Sequence, residues 1–391
     1  MAFKKLKILI TEYIEFIRLI KYYIYVMEQT NTEQCFDLIT DRLQEIIGMD
    51  DLKKIIEERP PKIYFGTAPT GRIHIGYLVP MLKIADFLRA GCYVKILFAD
   101  LHAVLDNLKS TIELVEMRTI YYEKMIKIIL TNLNAPQEKL VFVRGTEFQL
   151  TAKYTMDIYK ISTLTTIHNT KKAGADVVKQ TDNPKISGLL YPILQALDEE
   201  YLDVDISFGG MDQRKIYTFA ADVLPLIGYK KRIHLMSPML TAINAMPPNT
   251  TETLGNISDT KMSSSNLNSK IDMLDSKNEI KKKINRAYCL EGDISFNPIM
   301  ELTKFIIFPL VKNCKLNSFV INRPERYGGK IIYDTYQHLE LDFIEKKLHP
   351  QDLKLGIIDC LNNFMEPIRQ YFSGNAGNDT TKILQLAYPV I

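Results

Sequence analysis

Apolar positions along this chain keep two rhythms. A short apolar run, Ile63–Phe65, reads as a strand and is broken by Gly66, Pro69 and Gly71. Apolar residues then recur at helical spacing from Leu78 to Leu88. Further strands are expected at Tyr93–Ala99, bounded by Gly91 and Asp100, at Leu140–Val143 and at Val204–Phe208. Long helical stretches separate them, the clearest at Thr111–Leu133. Two short amphipathic helices, Asp37–Ile47 and Asp51–Glu58, precede the first strand. Strands alternating with long helices predict an α/β fold with a parallel sheet, whose ligands sit beyond the carboxyl ends of the strands. From Glu279 onward the pattern turns helical, with Met300–Leu310 and Leu339–Leu348. The expected architecture is a Rossmann-type parallel-sheet domain followed by an α-helical domain. At the start, residues 1–26 are dense in Ile, Leu and Tyr but interrupted by charges, so they suit neither a membrane span nor a secretory signal.

Composition narrows this little. The chain has 391 residues, enough for two cores, with 46% hydrophobic and 24% charged residues. A net charge of +3 demands no nucleic-acid partner. The five cysteines are scattered with no CxxC pair, which argues against a disulfide framework or a zinc site and fits a reducing compartment.

The chemistry concentrates in a few stretches. Residues 62–77 run strand, glycine-bearing turn, helix start, an arrangement that turns backbone N–H groups and the positive helix end toward one point and suits phosphate. Gly66 and Gly76 permit close approach of a nucleotide, and His74 at the helix mouth can donate to a phosphate oxygen. Many α/β turns look like this and bind nothing. A second stretch, Lys261-Met262-Ser263-Ser264-Ser265, follows a polar segment and offers a point charge and three hydroxyls able to wrap a pyrophosphate. On the helix through Tyr191, Gln195 and Asp198, spacings of four and three put the three polar groups on one face, either an outer face or a pocket for an amino acid. Asp100 and His102 stand at a strand end, and Gly209-Gly210 precede Asp212, a plausible acceptor for ribose hydroxyls.

Together and in this order, the stretches resemble the signature pair of class I aminoacyl-tRNA synthetases. His74-Ile75-Gly76-Tyr77 looks like the HIGH motif with tyrosine last, and Lys261–Ser265 like KMSKS with serine fourth. Both departures, and the text around Leu189-Leu190-Tyr191-Pro192 and Phe208–Lys215, are similar to tyrosyl-tRNA synthetases of the eukaryotic cytosolic type. The resemblance covers about residues 33–372. It implies a catalytic domain over 33–265 with a connective insertion near 151–185, an anticodon-binding domain over 266–372, an extension of unknown role over 1–32 and a tail over 373–391.

The resemblance also implies roles. Tyrosine is expected to be held by Tyr64, Tyr191, Gln195, Asp198 and Gln213, with Tyr64 and Asp198 bracketing the phenol. ATP is expected at Gly66, Ala68, His74, Gly76, Tyr77, Gly210, Asp212, Met239, Leu240 and Lys261, accompanied by Mg2+ held mostly by phosphates and water, with no protein metal site. His74, Lys261 and Ser263, Ser264 and Ser265 would carry catalysis. Tyr327, His349 and Asp352 stand where the anticodon is read, and Lys171, Lys172 and Lys179 where the acceptor end is met. A cytoplasmic homodimer acting on tRNA(Tyr) follows. The loop between Leu240 and Lys261 looks several residues longer than usual. The alternatives are a tryptophanyl enzyme, against which the Tyr64/Asp198 pair argues, a simple nucleotidyltransferase, and a catalytically silent tRNA-binding paralogue.

Overall fold

The computed structural model describes residues 32–105, 111–178, 185–247, 262, 270–314, 316, 318–373 and 379–389. Residues 1–31 of the expected 1–32 extension, Lys179, Lys261 and Ser263–Ser265 lie outside the described residues.

Six strands form one sheet in the order β1-β6-β5-β2-β3-β4: β1 (Glu45–Ile47), β2 (Lys62–Thr67), β3 (Tyr93–Phe98), β4 (Leu140–Arg144), β5 (Ile206–Gly210) and β6 (Ile233–Ser237). All pairs are parallel except β1 with β6. The central strands are apolar along their length because helices cover both faces. The chain winds outward through β3 and β4 on one side of β2, and through β5 and β6 on the other. The reversal of strand order falls between β2 and β5, where open α/β sheets open their ligand crevice.

The strand at Glu45–Ile47 corrects the expected helix over 37–47. The helix there spans 32–40, and Arg42 takes a left-handed φ of 58° just past its end. Three residues are too few to show a period, and their state is decided by pairing with Met236–His234. The long helix Ile112–Asn132 begins at Thr111, whose hydroxyl accepts the Leu114 N–H.

The helical part comprises Lys277–Arg286, Pro298–Leu302, Phe308–Asn313, Tyr336–Ile344 and Pro350–Phe372. It also holds a hairpin, β7 (Phe319–Ile321) and β8 (Ile331–Tyr333), which the periodicity does not reveal. Its apolar core is continuous with that under the sheet. The stretch 373–391, expected as a tail, instead contains a helix, Thr380–Ala387, packed on Ile112–Asn132 with Ala387 buried. Among the described residues no helix is long and apolar enough to cross a membrane.

Candidate active site

A cavity of about 590 Å³ lies at the β2/β5 switch point. The turn after β2, the turn after β5 and the segment after β6 form its walls. Helix Ile186–Tyr201 adds one face, bringing Tyr191, Gln195 and Asp198 together as their spacing predicts.

Tyr64 and Asp198 are both at most 2% exposed and both line the cavity. Asp198 accepts from the Gln149 side-chain amide and the Tyr154 hydroxyl, each at 2.8 Å. Both bonds fall on Oδ1, which leaves Oδ2 available. Burial pushes this carboxyl up to about 7, against the pull of those two donors. Burial likewise raises the Tyr64 phenol well above its ordinary value. Sequence reasoning missed Gln149 and Tyr154, which lie within or beside the expected insertion; nothing in their spacing signals a contact with a residue more than forty positions away.

The far side of this end is an amide chain. Gln213 donates to Asp212 Oδ1 at 3.1 Å, and Gln195 donates to Gln213 Oε1 at 3.0 Å. The Asp212 carboxylate fixes the direction of both amides, so Gln195 keeps its oxygen as an acceptor, suited to an ammonium group. Tyr191 meets the buried His102 edge-on, 4.6 Å between centroids, and burial lowers His102 to about 4. Asp100 is structural: its oxygens take the Leu101 and Thr146 N–H groups and the Thr146 hydroxyl.

At the other end stands His74. It caps the short turn Ile75–Tyr77, its Nδ1 accepting the Gly76 N–H at 3.2 Å. That bond assigns the ring proton to Nε2. Burial, with Lys270 nearby, lowers His74 to about 3, so the ring is a neutral Nε2–H donor at physiological pH. A Cβ on Gly76 would come within 2.8 Å of His74 Cε1, so glycine is what lets the imidazole fold back. At Gly210 a Cβ would meet Met239 Sδ at 2.5 Å and Asp212 Oδ1 at 2.8 Å. Gly66, Ala68, Tyr77 and Leu240 also line the cavity.

The turn at residues 73–77 is pinned from outside its own sequence. Ile75 N–H donates to Ile271 O at 2.9 Å and Met273 N–H to Ile73 O at 3.1 Å, while Met262 N–H donates to Leu240 O at 3.1 Å. Both flanks of 263–269 are therefore fastened to the cavity wall. Thr241, next to Leu240, gives its N–H and hydroxyl to the two oxygens of Glu301, each at 3.0 Å, a tie from the helical part that the sequence does not announce.

The remaining expected residues stand apart from the cavity. Lys171 and Lys172 are exposed on helix Ile167–Ala173. Tyr327 is 58% exposed in the β7–β8 loop under the Arg326 guanidinium. Arg323 ties this loop to Asp352, donating to Gly329 O at 2.8 Å and to the Asp352 carboxylate at 3.4 Å. His349 caps helix Pro350–Phe372 three residues earlier, accepting the Gln351 N–H.

A Rossmann-type sheet with a glycine-bearing turn after β2, a buried polar pocket and an appended helical part agrees with comparisons to known proteins. Residues 56–366 match the family described as tRNA synthetases class I (W and Y), and the chain belongs to that family. It is 50% identical over 357 residues to the cytoplasmic tyrosine–tRNA ligase of Gallus gallus, covering 91% of this chain and 64% of that protein. It is 47% identical over 363 residues to the Saccharomyces cerevisiae cytoplasmic enzyme, covering 91% of this chain and 88% of that one. The tyrosyl-tRNA synthetase of Pyrococcus horikoshii, solved with L-tyrosine, superposes with a TM-score of 0.83 at 27% identity, covering 92% of this chain and all of that one. The chain thus spans less than two thirds of the length of the chicken relative.

Proposed function

We propose that this chain activates L-tyrosine with ATP to tyrosyl-adenylate and pyrophosphate, then transfers tyrosine to the 3′ end of tRNA(Tyr). The observation that carries this reading is the two-ended cavity, with Tyr64 and Asp198 buried at one end and the His74–Gly76 turn at the other. Asp198 Oδ2 accepts the substrate phenol O–H, and Tyr64 donates to the phenol oxygen. Gln195 takes the ammonium group, with Tyr191 and Gln213 shaping the site around it.

Activation is a single displacement. A tyrosine carboxylate oxygen attacks the α-phosphorus, and the bond to the bridging oxygen breaks to release pyrophosphate. His74 Nε2–H donates to an α-phosphate oxygen. Lys261, Ser263, Ser264 and Ser265 hold the departing phosphates, and Asp212 takes the ribose hydroxyls while Met239 and Leu240 face adenine. Catalysis is positioning and charge stabilisation, without a covalent enzyme intermediate. Mg2+ enters with ATP as part of the substrate, held mostly by phosphates and water.

Tyr327, His349 and Asp352 read the anticodon, supported by an aromatic under an arginine in a loop tied to Asp352. Lys171, Lys172 and Lys179 contact the acceptor end. Exposed Met156, Tyr159, Leu164 and Ile167 on successive helices favour a homodimer through that face. The relatives' names support a cytoplasmic location.

Amino-acid-dependent ATP–pyrophosphate exchange without tRNA tests the reading. Exchange is expected with tyrosine, at a kcat/KM roughly 10⁴–10⁵-fold above that for phenylalanine, and not with tryptophan. Exchange with tryptophan would overturn the pocket assignment, and none at all would favour a silent paralogue.

A further inference from the structure

Beneath the amino-acid end of the cavity the sheet continues from Tyr64 into a row of polar side chains, three of which have no part in the reaction. Tyr64 on β2 pairs in register with Ser207 on β5, and Ser207 with His234 on β6. The three therefore project from one sheet face, side by side. Glu199, one residue past Asp198, reaches the same place: its Oε1 lies 2.9 Å from His234 Nε2. Tyr217, which also lines the cavity, stacks flat on His234 at 4.7 Å between centroids.

All four members of the row are at most 2% exposed. Four of their polar atoms nevertheless have no protein partner: Tyr64 Oη, Ser207 Oγ, Glu199 Oε2 and His234 Nδ1. Burial, Tyr217, Glu199 and Asp198 push the Tyr64 phenol up while the Ser207 hydroxyl, beyond ordinary hydrogen-bond distance, pulls it down as a donor, so these groups share one compact region. One buried orphan is uncommon; a cluster of four, including a carboxylate oxygen, is costly unless something bonds them. The donors and acceptors of three neighbouring strands and one helix supply the two to four polar partners that a trapped water requires.

We propose that this chamber binds ordered water and that, through it, Glu199 and Ser207 are positioning residues for the Tyr64 hydroxyl. The inference rests on the tyrosine reading above. Water donates one hydrogen to Glu199 Oε2 and the other to Tyr64 Oη, and accepts the Ser207 hydroxyl. Tyr64 Oη, already an acceptor on that side, points its own hydrogen into the cavity. The chain of hydrogen bonds then runs one way: from the water to Tyr64, from Tyr64 to the substrate phenol oxygen, and from the phenol to Asp198 Oδ2. The two carboxylates fix its two ends. Phenylalanine leaves the Tyr64 donor and the Asp198 acceptor facing each other unbridged.

Exchange kinetics on the full chain test the direction of this chain. Glu199→Gln removes the carboxylate that orients the water, and is expected to raise the tyrosine KM about tenfold and to lower tyrosine-over-phenylalanine preference by the same factor. The ATP KM and the phenylalanine KM are expected to stay within about twofold. Ser207→Ala is expected to act in the same direction more weakly. Loss of a merely structural residue would shift the ATP and phenylalanine constants as well, and that outcome, or an unchanged preference in both variants, would overturn the positioning role. A crystal structure with tyrosine bound decides the chamber itself. Water within hydrogen-bond distance of Tyr64 Oη and Glu199 Oε2 is expected, and a dry, collapsed chamber refutes it. Were the wild type inactive with tyrosine, the substrate reading and the positioning role would fall together, while the crystal water would still decide whether the chamber is hydrated.

Discussion

At Asp198 the fold holds a carboxyl at the edge of ionisation, pushed up to about 7 by burial. On the proposed tyrosine reading the phenol needs the carboxylate as acceptor, so kcat/KM for tyrosine is expected to fall as pH drops below about 7. Asp198→Asn is expected to remove that bend and most tyrosine selectivity. The sign for stability is the reverse. A carboxyl whose folded pKa is raised above 3.8 binds its proton more tightly folded than unfolded, so it costs stability as pH rises through 7. Melting curves at pH 8 should therefore show Asp198→Asn melting above the wild type. His74 behaves differently. Lowered to about 3, it contributes no bend between pH 5 and 9. His74→Ala is expected to slow activation about 10²–10³-fold, the usual loss for one such donor, with little change in tyrosine KM. Gly76→Ala, whose new methyl would meet the imidazole, should lose part of the same rate.

At the scale of elements, the cavity depends on ties between segments far apart in sequence. Glu301 holds both the N–H and the hydroxyl of Thr241, beside the Leu240 carbonyl that receives Met262 N–H. Glu301→Ala would leave the Thr241 groups to water and loosen the cavity wall at Leu240, where the proposal puts adenine. An ATP KM raised about tenfold is expected, in line with about 1.5 kcal/mol for a hydrogen bond to a charged group, while the tyrosine KM stays unchanged. Equal effects on both substrates in the exchange assay would refute this. Several elements were legible from pattern alone: Leu78–Arg89 and Ile112–Asn132 show long apolar periodicity, and β2, β3 and β4 are apolar runs bounded by breakers. Glu45–Ile47 and the β7–β8 hairpin were not, since three-residue strands carry no period and exist only through their partners.

Across the whole molecule, one continuous core joins the sheet and the helical part, so the two cannot shift freely against each other. On the homodimer proposal, assembly runs through the exposed Met156, Tyr159, Leu164 and Ile167. Ile167→Glu is expected to convert a dimer to monomers in sedimentation at micromolar concentration; an unchanged mass would place the interface elsewhere. By itself the sequence determined the α/β class, the turn at residues 62–77 and the shared face of Tyr191, Gln195 and Asp198, because these are local: a period, a breaker, a spacing of three or four. Only the tertiary structure decided that Gln149 and Tyr154 hold Asp198, that Glu301 braces Thr241, and that Tyr64, Ser207, Glu199 and His234 meet under the cavity. Those contacts come from strand order and helix packing, and residues brought together that way leave no spacing in the sequence to read.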